Sequence, residues 1–293
     1  MPWELGEKNI QNTTSYKYLG DMITSDNKNK LLTKTRENNL LISTRQINTT
    51  ASSDVMSTKV ILELYEKKIL TSFLNNAESW TLTNTEEKDI DRIGIQALKR
   101  LFNLSITTPS AVIIFSFGVL YFTEVVDQKR FMFLHKILTR LEEKWLPLML
   151  NELKTRNLGW PKKTDKKLTE YGLTKNWQEI QQKTKKQWKD EVQKAIDEHH
   201  RLKLKESCVN LTRSNENVNT KTKYIYDQIK DKYERKVLPE LLYQSKHTSR
   251  TIILARHKML ECGTNFKGIT GCFTSNYTKE NIAIQLRNMV DQF

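Results

Sequence analysis

Nine glycines and five prolines in 293 residues leave this chain few places to turn tightly. Tight turns need a positive φ or a fixed one, so a turn-rich sandwich or barrel is excluded and a mainly α fold is expected. With 38% hydrophobic residues the chain has enough apolar surface for one large domain or two ordinary ones.

Local signals place the elements. Residues 16–26 carry Tyr16, Tyr18 and Ile23 ahead of an Asp/Asn/Lys cluster, which reads as a short strand or hairpin. Beyond it nearly every signal is helical. Ser52, Ser53 and Asp54 can cap a helix whose Ile61, Tyr65, Ile69 and Phe73 recur every four residues. Thr83 and Glu86 form a capping box ahead of Ile90, Ile93, Ala97, Leu101 and Leu104. Thr108 and Pro109 open an apolar stretch, residues 111–122, which Gly118 ends or bends. That stretch falls short of the roughly 20 residues a membrane helix needs, so it is expected as buried core and no membrane partner is expected. An amphipathic helix follows with Val126, Phe133, Leu134, Ile137, Leu141 and Trp145 inward, then a short helix to Arg156 and a break at Gly159, Trp160 and Pro161. A long helix should bury Trp188, Val192, Ala195, Ile196 and Leu202 while its lysines face out. A polar stretch from Cys208 reads as a linker, and a last helical pair is expected near residues 223–237 and 249–262.

The net charge of +14 is unevenly spread. Residues 1–153 hold 19 basic and 18 acidic side chains, whereas 154–205 hold 15 and 7, and 221–267 hold 11 and 5. A balanced first half and a polycationic second half fit a scaffold joined to a region that meets phosphate, so nucleic acid (RNA, DNA or hybrid) is the expected partner. Cys208, Cys262 and Cys272 make no disulfide framework, and the first ten residues lack an apolar signal run. An intracellular location, cytoplasmic or nuclear, is therefore expected.

Little points to catalysis. Two-metal phosphoryl transfer needs convergent carboxylates, yet no two Asp residues are adjacent, and Asp89 and Asp91 diverge by about 200° on a helix. His135, His199, His200, His247 and His257 accompany no nucleophile motif, and no phosphate-binding glycine loop is present. Cys262 and Cys272 lack the spacing of a zinc site, so neither a catalytic group nor a metal or other cofactor is expected. Binding remains. Arg36, Arg45, Lys185, Lys186, Lys189, Arg250, Arg256, Lys258 and Lys267 are the candidate phosphate contacts, with Arg250, His257 and Lys246 grouped near one outer face and Phe266 available for stacking.

Several blocks occur in a telling order: Tyr16-Lys17-Tyr18-Leu19-Gly20-Asp21-Met22-Ile23-Thr24-Ser25-Asp26; Asn76-Ala77-Glu78-Ser79-Trp80-Thr81-Leu82-Thr83; Leu98-Lys99-Arg100-Leu101-Phe102; Gln128-Lys129-Arg130-Phe131-Met132-Phe133-Leu134-His135; and Met259-Leu260-Glu261-Cys262-Gly263-Thr264-Asn265-Phe266-Lys267-Gly268. Across residues 16–268 the chain resembles the downstream part of a non-LTR (LINE-type) retrotransposon reverse transcriptase, an RNA-directed DNA polymerase. The resemblance implies a palm-edge remnant at 1–30, a thumb-like helical bundle at 31–150, a basic helical region at 151–207, a linker at 208–222 and basic helices at 223–293. It implies template-primer binding without the polymerase carboxylates, whose Asp-Asp hairpin and magnesium would belong to a palm encoded upstream. The family's zinc knuckle is degenerate here: Cys272 is kept, Ser275 replaces the next cysteine, and residues 276–293 contain neither His nor Cys. The other readings are part of a longer polymerase, or a decayed transposon product acting as a helical interaction module.

Overall fold

The computed structural model describes residues 3–5, 8–10, 13–18, 21–24, 30–50, 56–140, 145–209, 225–227, 229, 235–238 and 241–256. Two antiparallel hairpins come first, β1 (Trp3–Leu5) with β2 (Lys8–Ile10), and β3 (Ser15–Tyr18) with β4 (Asp21–Thr24). The second is the expected hairpin, paired in the register Tyr16 with Ile23 and Tyr18 with Asp21. The rest is mainly α, as the shortage of turn residues dictates.

Helix α1 (Lys30–Thr50) packs on α4 (Asn84–Leu101) and on the segment between them. That segment runs through α2 (Thr58–Leu64), a π-helical stretch (Tyr65–Leu70) and α3 (Thr71–Phe73). Ile61, Tyr65, Ile69 and Phe73 are all buried along one face, as their four-residue spacing requires. Thr83 and Glu86 form the capping box of α4, and Glu86, Glu87 at its start and Lys99, Arg100 at its end complement the dipole.

Helix α5 (Ser110–Phe117) is buried from Ala111 to Phe117. Pro109 itself takes the cap position, and Gly118 ends the helix with φ +60, a conformation that L side chains rarely adopt. No single helix among the described residues is long and apolar enough to cross a membrane.

Helix α6 (Phe122–Leu138) is the central element, and it stops before the expected Leu141 and Trp145. Trp145 instead opens α7 (Trp145–Thr155) and is 64% exposed. Gly159, Trp160 and Pro161 do not separate two helices: they open α8 (Gly159–Glu170), with Pro161 buried in its first turn. A short α9 (Trp177–Gln182) precedes α10 (Lys185–Val209), whose 25 residues run on through Cys208, where a linker was expected. Leu202 is not inward but 50% exposed; Leu204 and Cys208 continue the buried stripe in its place. Of residues 223–237, Val237 lies outside helix while 225–227 and 229 are helical, and α11 (Lys246–Arg256) follows.

Two apolar clusters result. One joins α1 to α5 with Ile225, Ile229, Leu241 and Ile253. The other joins α6 to α9 with Trp188, Val192 and Ile196. Helix α10 serves both, giving its first half to the second cluster and Leu204 and Cys208 to the first.

Candidate nucleic-acid interface

The surface that α10 presents depends on how α10 is held, and a line of charged contacts along α6 holds it. Glu124 sits three residues into the α6 cap and accepts a hydrogen bond from the Tyr121 backbone N–H at 3.0 Å. Its carboxylate also accepts from His200 Nδ1 at 2.6 Å and from His199 Nδ1 at 3.4 Å. Glu124 and His200 are fully buried. Burial pushes the Glu124 carboxyl up, but the hydrogen bonds from His199 and His200, with the charges of His200 and Lys203, outweigh it and hold the pKa at about 2.

One turn further, Asp91 of α4 accepts from Thr123 and from Lys203 Nζ at 2.8 Å, and that ammonium lies 4.0 Å from the Tyr121 ring centre. In the other direction Asp127 pairs with Arg130, which donates to the Trp80 carbonyl, and Lys167 bridges Asp127, Glu87 and Glu170. Burial raises the Asp127 pKa against the pull of Arg130 and Lys167. Trp188 Nε1 donates to the Phe131 carbonyl at 2.9 Å, and His135 Nε2 contacts the Lys183 carbonyl at the same distance. Helix α10 therefore runs antiparallel to α6, with its first turn at the α6 C-terminal end. These groups bind helices to one another; among the described residues no three His, Cys, Asp or Glu side chains are placed to hold a metal ion.

The same contacts sort the cations. Lys163 and Lys167 pair with Glu87, Lys154 with Asp165, Lys183 with Glu179 and Glu191, and Lys203 with Asp91. Glu87 and Asp91 of the balanced first half thus neutralise Lys163, Lys167 and Lys203 of the basic segment, while Asp165, Glu179 and Glu191 of that segment neutralise Lys154 and Lys183. Within that segment Lys162, Lys175, Lys185, Lys186, Lys189 and Lys194 remain exposed and in no ion pair with a described residue.

Arg36 leaves the set of candidate contacts. It is 7% exposed, donates to the carbonyls of Phe73 at 2.7 Å and Asn75 at 2.6 Å, and lies over the Trp80 ring. With Nη1 on two carbonyls, its Cζ over the indole and the side chain buried, this guanidinium is committed to the interior rather than to a surface phosphate. Lys246 is likewise turned inward, donating to Asn48 Oδ1 at 2.8 Å, and burial lowers its pKa. Arg45 is exposed on α1, far along the chain from the others. Arg250 is half-buried on α11, and its buried Nε has no hydrogen-bond partner. Arg256 ends α11, while Lys258, Lys267, His257, Phe266, Cys272 and Ser275 lie outside the described residues.

Lys185, Lys186 and Lys189 are brought together. All three are exposed, and none forms an ion pair with a described residue. At positions i, i+1 and i+4 they share an arc of about 100° on α10. Thr184 caps the helix in a box with Gln187, whose uncharged amide replaces the usual glutamate. No acidic residue occurs in the first turn of α10, nor in those of α8 and α11, in contrast to Glu86 and Glu87 in α4 and Glu124 in α6. A cation at a helix N-terminus opposes the macrodipole by a few tenths to about 1 kcal/mol at an exposed site. Helices α4 and α6 follow the electrostatic rule, whereas α10 carries Lys185 and Lys186 in its first turn and Lys189 just beyond, so that helix end concentrates positive potential. Lys136, exposed near the end of α6, adds to the same end of the molecule because its neighbour His135 contacts Lys183.

The sequence offered no sign of the Glu124 cluster, since its partners lie 75 and 76 residues apart. The doublet His199-His200 was visible, but not its acidic partner. No protein-family model, curated protein or solved structure matches the chain.

Proposed function

We propose that this protein binds the nucleic-acid backbone as the post-palm, thumb-like part of a non-LTR retrotransposon reverse transcriptase. The observation that carries the binding half of this reading is the exposed lysine triplet at the start of α10, uncompensated by any acid in that turn. Three ammonium groups beside a positive helix end form a phosphate-directed surface, and phosphate contacts position a backbone without reading its sequence. The ordered blocks from Tyr16 to Gly268 support the family half. Fluorescence anisotropy with an RNA–DNA duplex over a salt series tests the binding. Log affinity should fall linearly with log salt, and Lys185→Gln/Lys186→Gln/Lys189→Gln should flatten the slope by up to about 2.7, at roughly 0.9 per lost contact. A flat salt dependence in the unmodified protein, or an unchanged slope in the variant, overturns it.

A further inference from the structure

Helix α1 is anchored along one side and open along the other. Leu40 and Ile47 enter the first apolar cluster, with Arg36 and Thr44 buried beside them. Asn38, Asn39, Ile42, Arg45, Gln46 and Thr49 are exposed, and the helical pitch gathers them into an arc of about 120° on the opposite side. Glu37, the one acid of the helix, is half-buried at the edge of the buried side. The open face therefore holds amides, a hydroxyl, a guanidinium and an aliphatic chain, and no acid. Asparagine and threonine are poor helix formers, so at exposed positions, where packing does not decide, they weaken a helix that alanine, glutamate or lysine would strengthen. Cations stand on both flanks of this face. Lys68 of the π-helical stretch donates to Gln46 Oε1 at 3.1 Å on one flank, and Asn48 Nδ2 donates to the Arg100 carbonyl at 3.1 Å on the other. Lys34, Arg45, Lys68 and Arg100 are exposed, and none forms an ion pair with a described residue.

We infer that α1 is a groove-reading helix for B-form DNA, with Asn38 and Arg45 at base edges and Lys68 and Arg100 at the phosphates on either side. The inference rests on the backbone-binding reading and adds to it a contact with the bases, on a different helix from the lysine triplet. The major groove of B-form DNA admits an α-helix, and there a guanidinium pairs in bidentate fashion with guanine, an Asn or Gln amide pairs with adenine, and an aliphatic chain meets the thymine methyl. The open face supplies each of these groups, and from Asn38 to Thr49 it runs about 16 Å, the length of about five base pairs. Positive charge on both flanks complements the two phosphate strands that border a groove. An RNA duplex or an RNA–DNA hybrid of A-form geometry has a deep, narrow major groove that side chains do not read, so this contact belongs to DNA. Two other occupants fit less well. A second copy docked here through a two-fold axis would bring the cations of both copies together, which like-charge repulsion opposes. An acidic protein would engage the cations and leave the amides between them without a role.

The test uses the full chain, its Asn38→Ala and Arg45→Lys variants, and the triple Lys185→Gln/Lys186→Gln/Lys189→Gln variant. The probes are a DNA duplex selected by the unmodified chain from a random-sequence pool and an RNA–DNA hybrid of the same length. Both α1 positions are exposed, and alanine and lysine are good helix formers, so thermal midpoints should not fall. Arg45→Lys keeps the charge and loses the bidentate fork. Each α1 variant should bind the selected DNA about 5- to 150-fold more weakly, the range for one lost bidentate base contact, and bind the hybrid unchanged. The triple variant should weaken both probes alike, since phosphate contacts carry no base information. A pool that enriches no sequence, no loss in either α1 variant, or equal loss on DNA and hybrid overturns the groove-reading helix while leaving the lysine reading standing. Absence of salt-dependent binding to either probe overturns both. A dimer in sedimentation that Asn38→Ala dissociates, or polyglutamate binding that needs Asn38 when DNA binding does not, assigns the face to another occupant and overturns it as well.

Discussion

Replacing Glu124 with Gln should cost stability at neutral pH and progressively less in acid. The carboxyl is fully buried, and its pKa falls from an ordinary 4.5 to about 2 in the folded protein. A depressed carboxylate pKa means that the folded state favours the charged form, so the contribution is complete above 4.5 and is lost as pH falls towards 2. The shift corresponds to about 3 kcal/mol at neutral pH, at 1.36 kcal/mol per pKa unit. By about pH 3 roughly half of it is gone, so the gap between native and Glu124→Gln should narrow by about 2 kcal/mol between pH 7 and pH 3. Glutamine keeps an acceptor for the Tyr121 N–H but offers His200 an amide in place of an anion. Urea unfolding followed by circular dichroism, run on both proteins across that pH range, reads the gap directly, because acid effects common to both cancel. A gap that stays constant with pH would refute the charge-based account of how α10 is held, as would a variant no less stable at neutral pH.

Two further substitutions probe the packing that positions the site. Arg36→Ala removes the Nη1 that donates to both the Phe73 and Asn75 carbonyls and the guanidinium over Trp80, and should lower stability by about 1.5–3 kcal/mol while leaving duplex affinity unchanged. Weaker binding at unchanged stability in anisotropy and chemical denaturation would return Arg36 to the phosphate contacts. Gly94→Ala gains about 1 kcal/mol of helix propensity, but its Cβ would lie 2.7 Å from Phe122 Cδ1, and overpacking of this kind costs about 1–3 kcal/mol. Phe122 is 1% exposed and held between Tyr65 and Phe73, so the ring has nowhere to go and the thermal midpoint should fall. A rise in the calorimetric midpoint would show that propensity wins, and Phe122→Leu in the same background should relieve the loss.

What could be read from the sequence was whatever is decided within a few residues. The Thr83 and Glu86 box, the helix stop at Gly118 and the face through Ile61, Tyr65, Ile69 and Phe73 are all local, and each stands where its pattern puts it. The inward face of α10 was harder. Its buried residues Trp188, Val192, Ile196, His200, Leu204 and Cys208 repeat every four, so the stripe turns by about 40° at each step and Leu202 falls off it. A polar member, His200, sits in that stripe because Glu124 meets it there. Charge was least legible, since a lysine's fate is set by whether a carboxylate from another element comes within reach. Lys203 meets Asp91 across 112 residues and Lys167 meets Glu87 across 80, whereas Lys185, Lys186 and Lys189 meet no acid among the described residues. A segment total cannot tell these cases apart. Nor can the absence of acid from a helix's first turn, since α8 has none there and its Lys163 and Lys167 still meet Glu87 of α4. First turns without an acid are shared by α1, α2, α3, α5, α7, α8, α10 and α11, and what sets α10 apart is the group of exposed Lys185, Lys186 and Lys189 at its start, none in an ion pair with a described residue. Among the described residues, therefore, nucleic-acid affinity should fall further when Lys185, Lys186 and Lys189 are neutralised than when Lys163, Lys167 and Lys203, already paired with Glu87 and Asp91, are.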